Sequence, residues 1–297
     1  GGGRDGTVFS QGGPAYIKKY APSLPQMSLS MEDYLKLVRL LNDKMDVTVE
    51  MDVQNKFYDD DPTGYNVVGE IAGTDPILKN QVVMLGGHLD SWHAGTGATD
   101  NAARCAVMME AIRLLKELGV QPKRTIRIAL WGGEEEGPYG SIGYVRKHFG
   151  DPADMKLKPE QKNISAYFNL DNGSGKIRGI YLQNNEKVRD IFKAWLEPFA
   201  DMGATGITSS NTGSTDHLSF DAVGIPGFQF IQDPLEYETR THHSNMDTYD
   251  HLFIDDMKQA AVIVAAFVYN TAMRNELLPR KPLPRPEPFV FDADFPW

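Results

Sequence analysis

Three short apolar runs, 82–85 (Val-Val-Met-Leu), 126–131 (Ile-Arg-Ile-Ala-Leu-Trp) and 166–170 (Ala-Tyr-Phe-Asn-Leu), lie between segments of helical periodicity, and each gives way to polar and acidic residues at its carboxyl end. Runs of this length flanked by helices read as strands covered on both faces. They predict an α/β fold, a three-layer sandwich around a mixed, mostly parallel central sheet. The helices are legible from their spacing. Residues 102–118 carry Val107, Met108, Ala111, Ile112, Leu114 and Leu115 on one stripe and stop at Gly119, and 186–196 and 256–274 are two more. Ser30 ahead of Met31-Glu32-Asp33 predicts a capped helix start, with Leu35, Val38, Leu40 and Leu41 as its apolar face. Residues 47–53 alternate as an exposed edge strand does, and 65–71 read as the antiparallel hairpin partner across a turn at 59–64.

With 297 residues, 41% of them hydrophobic, the chain can bury one large core without covalent staples. The single cysteine, Cys105, falls inside an apolar helical stripe, where it reads as a small buried hydrophobe. Residues 1–26, rich in glycine and proline, predict an extended lead-in; 27–278 form one domain; 279–297 form a proline-rich extended tail. The net charge of -10 argues against a nucleic-acid partner and leaves room for bound cations. No apolar run reaches the length that would span a membrane. Oligomeric state stays open between monomer and homodimer.

Ligands of open α/β sheets collect at the carboxyl ends of the strands. The first run here is followed by Gly86-Gly87-His88-Leu89-Asp90, the second by Gly132-Gly133-Glu134-Glu135-Glu136-Gly137, and the third by Asp171-Asn172-Gly173. Imidazole and carboxylate at adjacent strand ends are the donors zinc takes. His88 and Asp90, two apart on an extended segment, share a side, so Asp90 is placed to accept from the second imidazole nitrogen. Asp100, just ahead of the 102–118 helix, reads either as its N-cap or as a carboxylate bridging two metals. Three consecutive glutamates closing a buried strand repel one another unless a cation stands nearby. Asp216 and His217 lie in a loop that either lines a cleft or, through Asp216, caps a short helix. Arg240, in a polar loop, is a candidate partner for a substrate carboxylate.

The segments Gly87-His88-Leu89-Asp90-Ser91-Trp92, Ala98-Thr99-Asp100-Asn101, Trp131-Gly132-Gly133-Glu134-Glu135, Asn169-Leu170-Asp171 and His243-Ser244-Asn245-Met246-Asp247-Thr248, in this order, resemble the co-catalytic two-zinc exopeptidases. That family includes secreted bacterial aminopeptidases and plasma glutamate carboxypeptidase, and the resemblance spans about 30–274. It implies a phosphorylase/hydrolase-like fold and two zinc ions per chain. Asp100 would bridge the ions, His88 and Asp171 would complete one site, and Glu135 and His243 the other, with Asp90 and Asp247 supporting them. Glu134 would be the general base, taking a proton from a water whose pKa zinc has lowered and returning it to the leaving amine. Many members have tyrosine just before the last histidine ligand, where this chain has His242; the donor to the oxyanion would then be an imidazole. The doubled histidine leaves open which one binds metal, although the spacing from His243 to Asp247 fits the family pattern better.

The implied substrate is a peptide or dipeptide. Which end is read stays open, and the abundance of acidic residues leans toward an aminopeptidase or dipeptidase over a carboxypeptidase. Residues 6–13 resemble the end of a protease-associated domain, and the implied location is secreted or periplasmic. Two other readings are weighed: a one-zinc acyltransferase of the glutaminyl cyclase type, which needs no second metal, and a non-catalytic receptor-like domain, which would have lost ligands.

Overall fold

Alternate residues of a strand leave a sheet on opposite faces, and the buried residues of this protein divide accordingly. In the computed structural model, which describes residues 3–10, 24–58 and 60–286, strand β2 (Val82–His88) is buried along its whole length. Its Val83 and Leu85 enter a core packed by helices α2 (Ala103–Glu117), α4 (Arg189–Leu196) and α6 (Ile254–Met273). Its Val82 and Met84 point the other way, into a second core with Val145 of α3 (Tyr139–His148) and Phe220 of α5 (His217–Asp221). Two cores on the two faces of one sheet make the three-layer sandwich expected from the apolar runs.

The sheet has seven strands in the order β1-β3-β2-β6-β9-β7-β8, where β1 is Val67–Ile71, β3 Thr125–Trp131, β6 Ile164–Asn169, β7 Ile177–Tyr181, β8 Gly206–Thr208 and β9 Gly227–Gln232. β4 (Gly150–Asp151) and β5 (Lys156–Leu157) form a separate small hairpin. β3, β2, β6 and β9 are parallel neighbours, β1 runs antiparallel to β3, and β7 runs antiparallel to β9 with β8 parallel to it. The three apolar runs are thus the adjacent strands β3, β2 and β6. β2 runs three residues past Leu85, through Gly86 and Gly87. A Cβ on Gly86 would collide with the Ala129 carbonyl oxygen of β3, so only glycine lets the two strands approach here.

The hairpin expected over 47–71 does not form. Residues 47–53 carry no strand, Val49, Met51 and Val53 are exposed, and β1 pairs with β3, Val67 opposite Leu130 and Ile71 opposite Ile126. The alternating pattern at 47–53 had no apolar surface to rest on, whereas the edge of β3 offered β1 a ready ladder. The Ser30 cap is as expected: its hydroxyl accepts the Asp33 N–H at 3.3 Å at the start of α1 (Met31–Asn42), none of whose residues is buried. The described part of the tail is extended and pinned, with Arg280 donating to the carbonyls of Gln161 and Ile164 at 2.9 and 2.6 Å. Residues 11–23 of the lead-in and 287–297 of the tail lie outside the described residues. What matters for chemistry is that four parallel strands end on one edge of the sheet.

Candidate metal centre

β2 ends on His88. β3 passes through Gly132 and Gly133 into Glu134 and Glu135, β6 stops two residues before Asp171, and β9 leads through the turn Tyr237–Thr241 to His242 and His243. Asp100 comes from the turn Ala98–Ala102 ahead of α2; it is 3% exposed, and its peptide bond to Asn101 is cis. β2 sends its chain to β3 on one side while β6 lies on the other, so His88 and Asp171 flank a reversal of strand order, where ligands of such sheets bind.

His88 Nε2 lies 3.2 Å from Asp100 Oδ1 and 3.2 Å from Asp171 Oδ1. His243 Nε2 lies 3.3 Å from Asp100 Oδ2 and 3.0 Å from Glu135 Oε2. One oxygen of Asp100 therefore faces each histidine–carboxylate pair. A tetrahedral zinc with bonds of about 2.0–2.1 Å holds its ligand atoms about 3.3 Å apart, which is the histidine–carboxylate spacing found in both groups. Glu134 offers an oxygen within 4.8 Å of ligand atoms of His88 and Asp171, and His242 Nε2 lies 3.8 Å from Asp100 Oδ2.

The electrostatics point to missing positive charge. Burial, reinforced by the charge of Asp171, pushes Glu134 up to about 10. Burial and the charge of Asp100 raise Glu135 against the pull of His243. Asp100 Oδ2 and Glu135 Oε1 are buried without a hydrogen-bond partner among the described residues. Burial opposes ionisation of Asp100 too, but the His88 imidazole brings it down to about 2, so it stays a carboxylate. Carboxylates crowded against imidazoles are a donor set that fits zinc, and cations would satisfy the orphaned oxygens.

The sequence profile of peptidase family M28 matches residues 66–268, the stretch that holds every residue of this cluster. The chain belongs to peptidase family M28. Human carboxypeptidase Q is 31% identical over 259 residues, covering 87% of this chain and 52% of that protein, so the chain spans about half the length of the curated relatives it matches. Among solved structures, an M28 peptidase precursor from Shewanella amazonensis superposes with a TM-score of 0.71 at 24% identity over 89% of this chain and 57% of that one. A zinc aminopeptidase from Bacillus subtilis does so with 0.57 at 25% identity over 72% and 52%.

Around the cluster of this M28 chain, supporting contacts differ in detail from the sequence expectation. The Nδ1 of His88 faces the backbone carbonyl of Asp90 at 3.0 Å, while the Asp90 carboxylate stands off at 3.7 Å and instead accepts the Glu135 N–H at 3.0 Å. Asp90 therefore holds the His88 ring with its main chain and the backbone path of Glu135 with its side chain. Asp247 accepts the Thr99 N–H at 2.5 Å and the Asp100 N–H at 3.0 Å, clamping the turn that presents Asp100. Asp247→Ala leaves those two buried N–H groups unpaired. It is expected to cost about 3 kcal/mol of stability in chemical denaturation and at least about tenfold in zinc affinity by calorimetry.

Asp216 and His217 do not line a cleft. Both are 0% exposed, and Asp216 stands ahead of the short α5 without making a side-chain cap bond. The His217 ring is held by Gln183 at 2.5 Å and the Thr212 carbonyl at 3.2 Å. The polar sequence around them looks like surface, but Phe220 of α5 enters the second core and Gly227 of β9 packs against the His217 carbonyl, and the two bury it. Arg240, two residues before His242, is half-buried, and its Nε has no hydrogen-bond partner among the described residues. Cys105 is buried, its thiol pushed up to about 12 by burial, and it donates to the His88 carbonyl at 2.8 Å. Two neighbours of the centre escaped the sequence reading, Arg104 and Tyr237. A cation in the first turn of an apolar helix is at the unfavourable end of the helix dipole, and that was the one signal available for Arg104.

Proposed function

We propose that this M28 domain is a metallo-exopeptidase that holds two zinc ions across Asp100, one with His88 and Asp171, the other with Glu135 and His243, and cleaves dipeptides or short peptides. The observation that carries the reading is the division of Asp100, Oδ1 toward His88 and Oδ2 toward His243. Zinc bound there would supply Lewis acidity, lowering the pKa of a water and polarising the scissile carbonyl. Glu134, buried beside His88 and Asp171, would be freed of the proton that burial holds on it in the metal-free chain once cations sit beside it, and it then takes the proton of the attacking water and returns it to the departing amine. His242, in the place of a tyrosine, donates to the developing oxyanion. Burial and the neighbouring His243 lower its pKa, so near neutral pH it carries a single proton, which must sit on the Nε2 that faces the centre.

The rim offers charges of both signs, which suits a substrate with both termini close to the scissile bond. Glu136, exposed, and Glu238, 3.7 Å from His242 Nδ1, favour a free α-amine, and Arg240 favours a carboxylate. A secreted or periplasmic setting goes with this reading. A one-zinc cyclase would have no use for His88 and Asp171 as a second complete donor set. Elemental analysis of the purified chain should give two zinc ions, with hydrolysis of dipeptides or aminoacyl anilides; one zinc or none, without hydrolysis, would overturn the proposal.

Acid should strip the metal. Burial lowers the His88 pKa, but Asp171, Asp100 and Asp90 outweigh it and raise it well above the ordinary range; Glu135 and Asp100 raise His243 likewise. A raised pKa means that the proton competes with zinc from above the ordinary histidine value of about 6.5 downward. In the metal-free chain the same protonated histidines stabilise the fold at low pH and cease to do so as pH rises through their raised pKa values. Zinc affinity by calorimetry is therefore expected to weaken steadily from about pH 8 to 5; affinity unchanged across that window would mean the histidines are not ligands.

A further inference from the structure

One buried cation is unused by the mechanism above. Arg104 sits in the first turn of α2, 1% exposed, and its Nε, Nη1 and Nη2 have no hydrogen-bond partner among the described residues. Burial strips its water, and the amino-terminal end of α2 carries the positive end of the helix dipole, so the position opposes a cation twice. Two neighbours offset this. The charge of Arg104 helps to hold Asp100 ionised, and the Tyr237 ring lies with its centroid 4.7 Å from Cζ, within the range of a cation–π contact. Tyr237 is itself buried, and it stacks against the His242 imidazole with centroids 4.6 Å apart and planes 25° from parallel. Its carbonyl also accepts the His242 N–H at 2.8 Å. Guanidinium, phenol ring and imidazole form a column whose far end faces the bridging carboxylate, His242 Nε2 standing 3.8 Å from Asp100 Oδ2.

We propose that Arg104, acting through the ring of Tyr237, is a positioning residue for the His242 imidazole, a role that rests on reading the site as a peptidase centre. A ring held between a cation and an imidazole cannot swing away without giving up both contacts. The imidazole is a third exposed, and its other neighbours, the His243 ring at a centroid distance of 3.9 Å and the exposed Glu238 carboxylate 3.7 Å from Nδ1, meet it tilted or at its edge, so the Tyr237 ring is the one stacked on its face. Arginine suits the task because its charge is spread over a plane that lies against a ring face, whereas the ammonium of lysine is a compact point.

The test uses the zinc-loaded full chain and compares Arg104→Met, Tyr237→Leu and Tyr237→Phe, alone and with His242→Ala. Arg104→Met and Tyr237→Leu are expected to lower kcat by about tenfold, the order of a misaligned group, with KM within about twofold and zinc content unchanged. Tyr237→Phe, which keeps the ring, should stay close to wild type. In the His242→Ala background Arg104→Met should have no further effect. A second readout needs neither zinc nor turnover: the imidazole proton signals of His242 in the metal-free chain carry the ring-current shift of Tyr237, and Arg104→Met should move them toward an unstacked histidine. The proposal is overturned if Arg104→Met lowers kcat equally without His242, if it loses zinc, or if the His242 signals stay put. If Arg104→Met does not fold, the cycle of Tyr237→Leu with His242→Ala decides in the same way. If the wild-type chain hydrolyses no peptide, the peptidase reading fails, while the proton signals still decide the column.

Discussion

Glu134→Gln is expected to retain both zinc ions and to lower kcat for dipeptide hydrolysis by about a thousandfold or more. Glutamine fills the same space and still accepts a hydrogen bond from water, but it cannot take the proton, and general-base contributions of about 10²–10⁴ are lost with that ability. Glu134 offers its oxygen to His88 and Asp171 without standing between the Asp100 oxygens and their histidines, so the donor set survives the change. A second effect appears without metal. Burial raises the Glu134 pKa to about 10, far above its unfolded value. The folded chain then holds a proton that the unfolded chain releases, and stability falls as pH rises from the ordinary carboxylate range toward about 10. Glutamine removes that loss, so the metal-free variant should melt higher than metal-free wild type at pH 8. Loss of zinc from the variant would make Glu134 a ligand, and kcat within tenfold of wild type would place the base elsewhere.

The parts of the fold that sequence made legible are those where local chemistry and burial agree. β2 and β6 are buried along their whole length and β3 at all but Arg127 and Ile128, so the three runs are mostly apolar and announce themselves. β7, β8 and β9 were not foreseen. Ile177–Tyr181 contains Arg178 and Gly179, and Gly227–Gln232 contains two glutamines whose burial depends on neighbours far along the chain. Gln259 of α6, for instance, bonds both the N–H and the carbonyl of Ile177. The cluster was legible for a related reason: His88, Glu134, Glu135 and Asp171 follow strands that are parallel neighbours, so adjacency in the sheet turns distant motifs into one site. Asp216 and His217 misled because their polarity suggests solvent while the packing of α5 denies it. Arg104 was hidden by the helix around it, since nothing local says that Tyr237 will lie over its guanidinium.

Replacing Asp100 should remove both ions at once, and no other single ligand should do so. Apparent zinc-binding free energies of about 10–16 kcal/mol spread over four ligands come to about 3 kcal/mol each, or about a hundredfold in affinity per ligand. Because Oδ1 faces His88 and Oδ2 faces His243, Asp100→Ala takes one ligand from each position. His88→Ala takes one from the first position only, and Glu135→Ala one from the second. Dialysed Asp100→Ala protein should therefore carry little zinc and show no measurable hydrolysis, whereas His88→Ala and Glu135→Ala should each keep about one ion per chain. The turn at Ala98–Ala102 should persist in Asp100→Ala, because Asp247 grips the backbone N–H groups of residues 99 and 100 and not the side chain that is removed. Loss of metal would then report the missing carboxylate and not a collapsed loop. If Asp100→Ala retained one tightly held zinc, the two oxygens would not be shared between two positions, and the centre would have to be redrawn around a single ion.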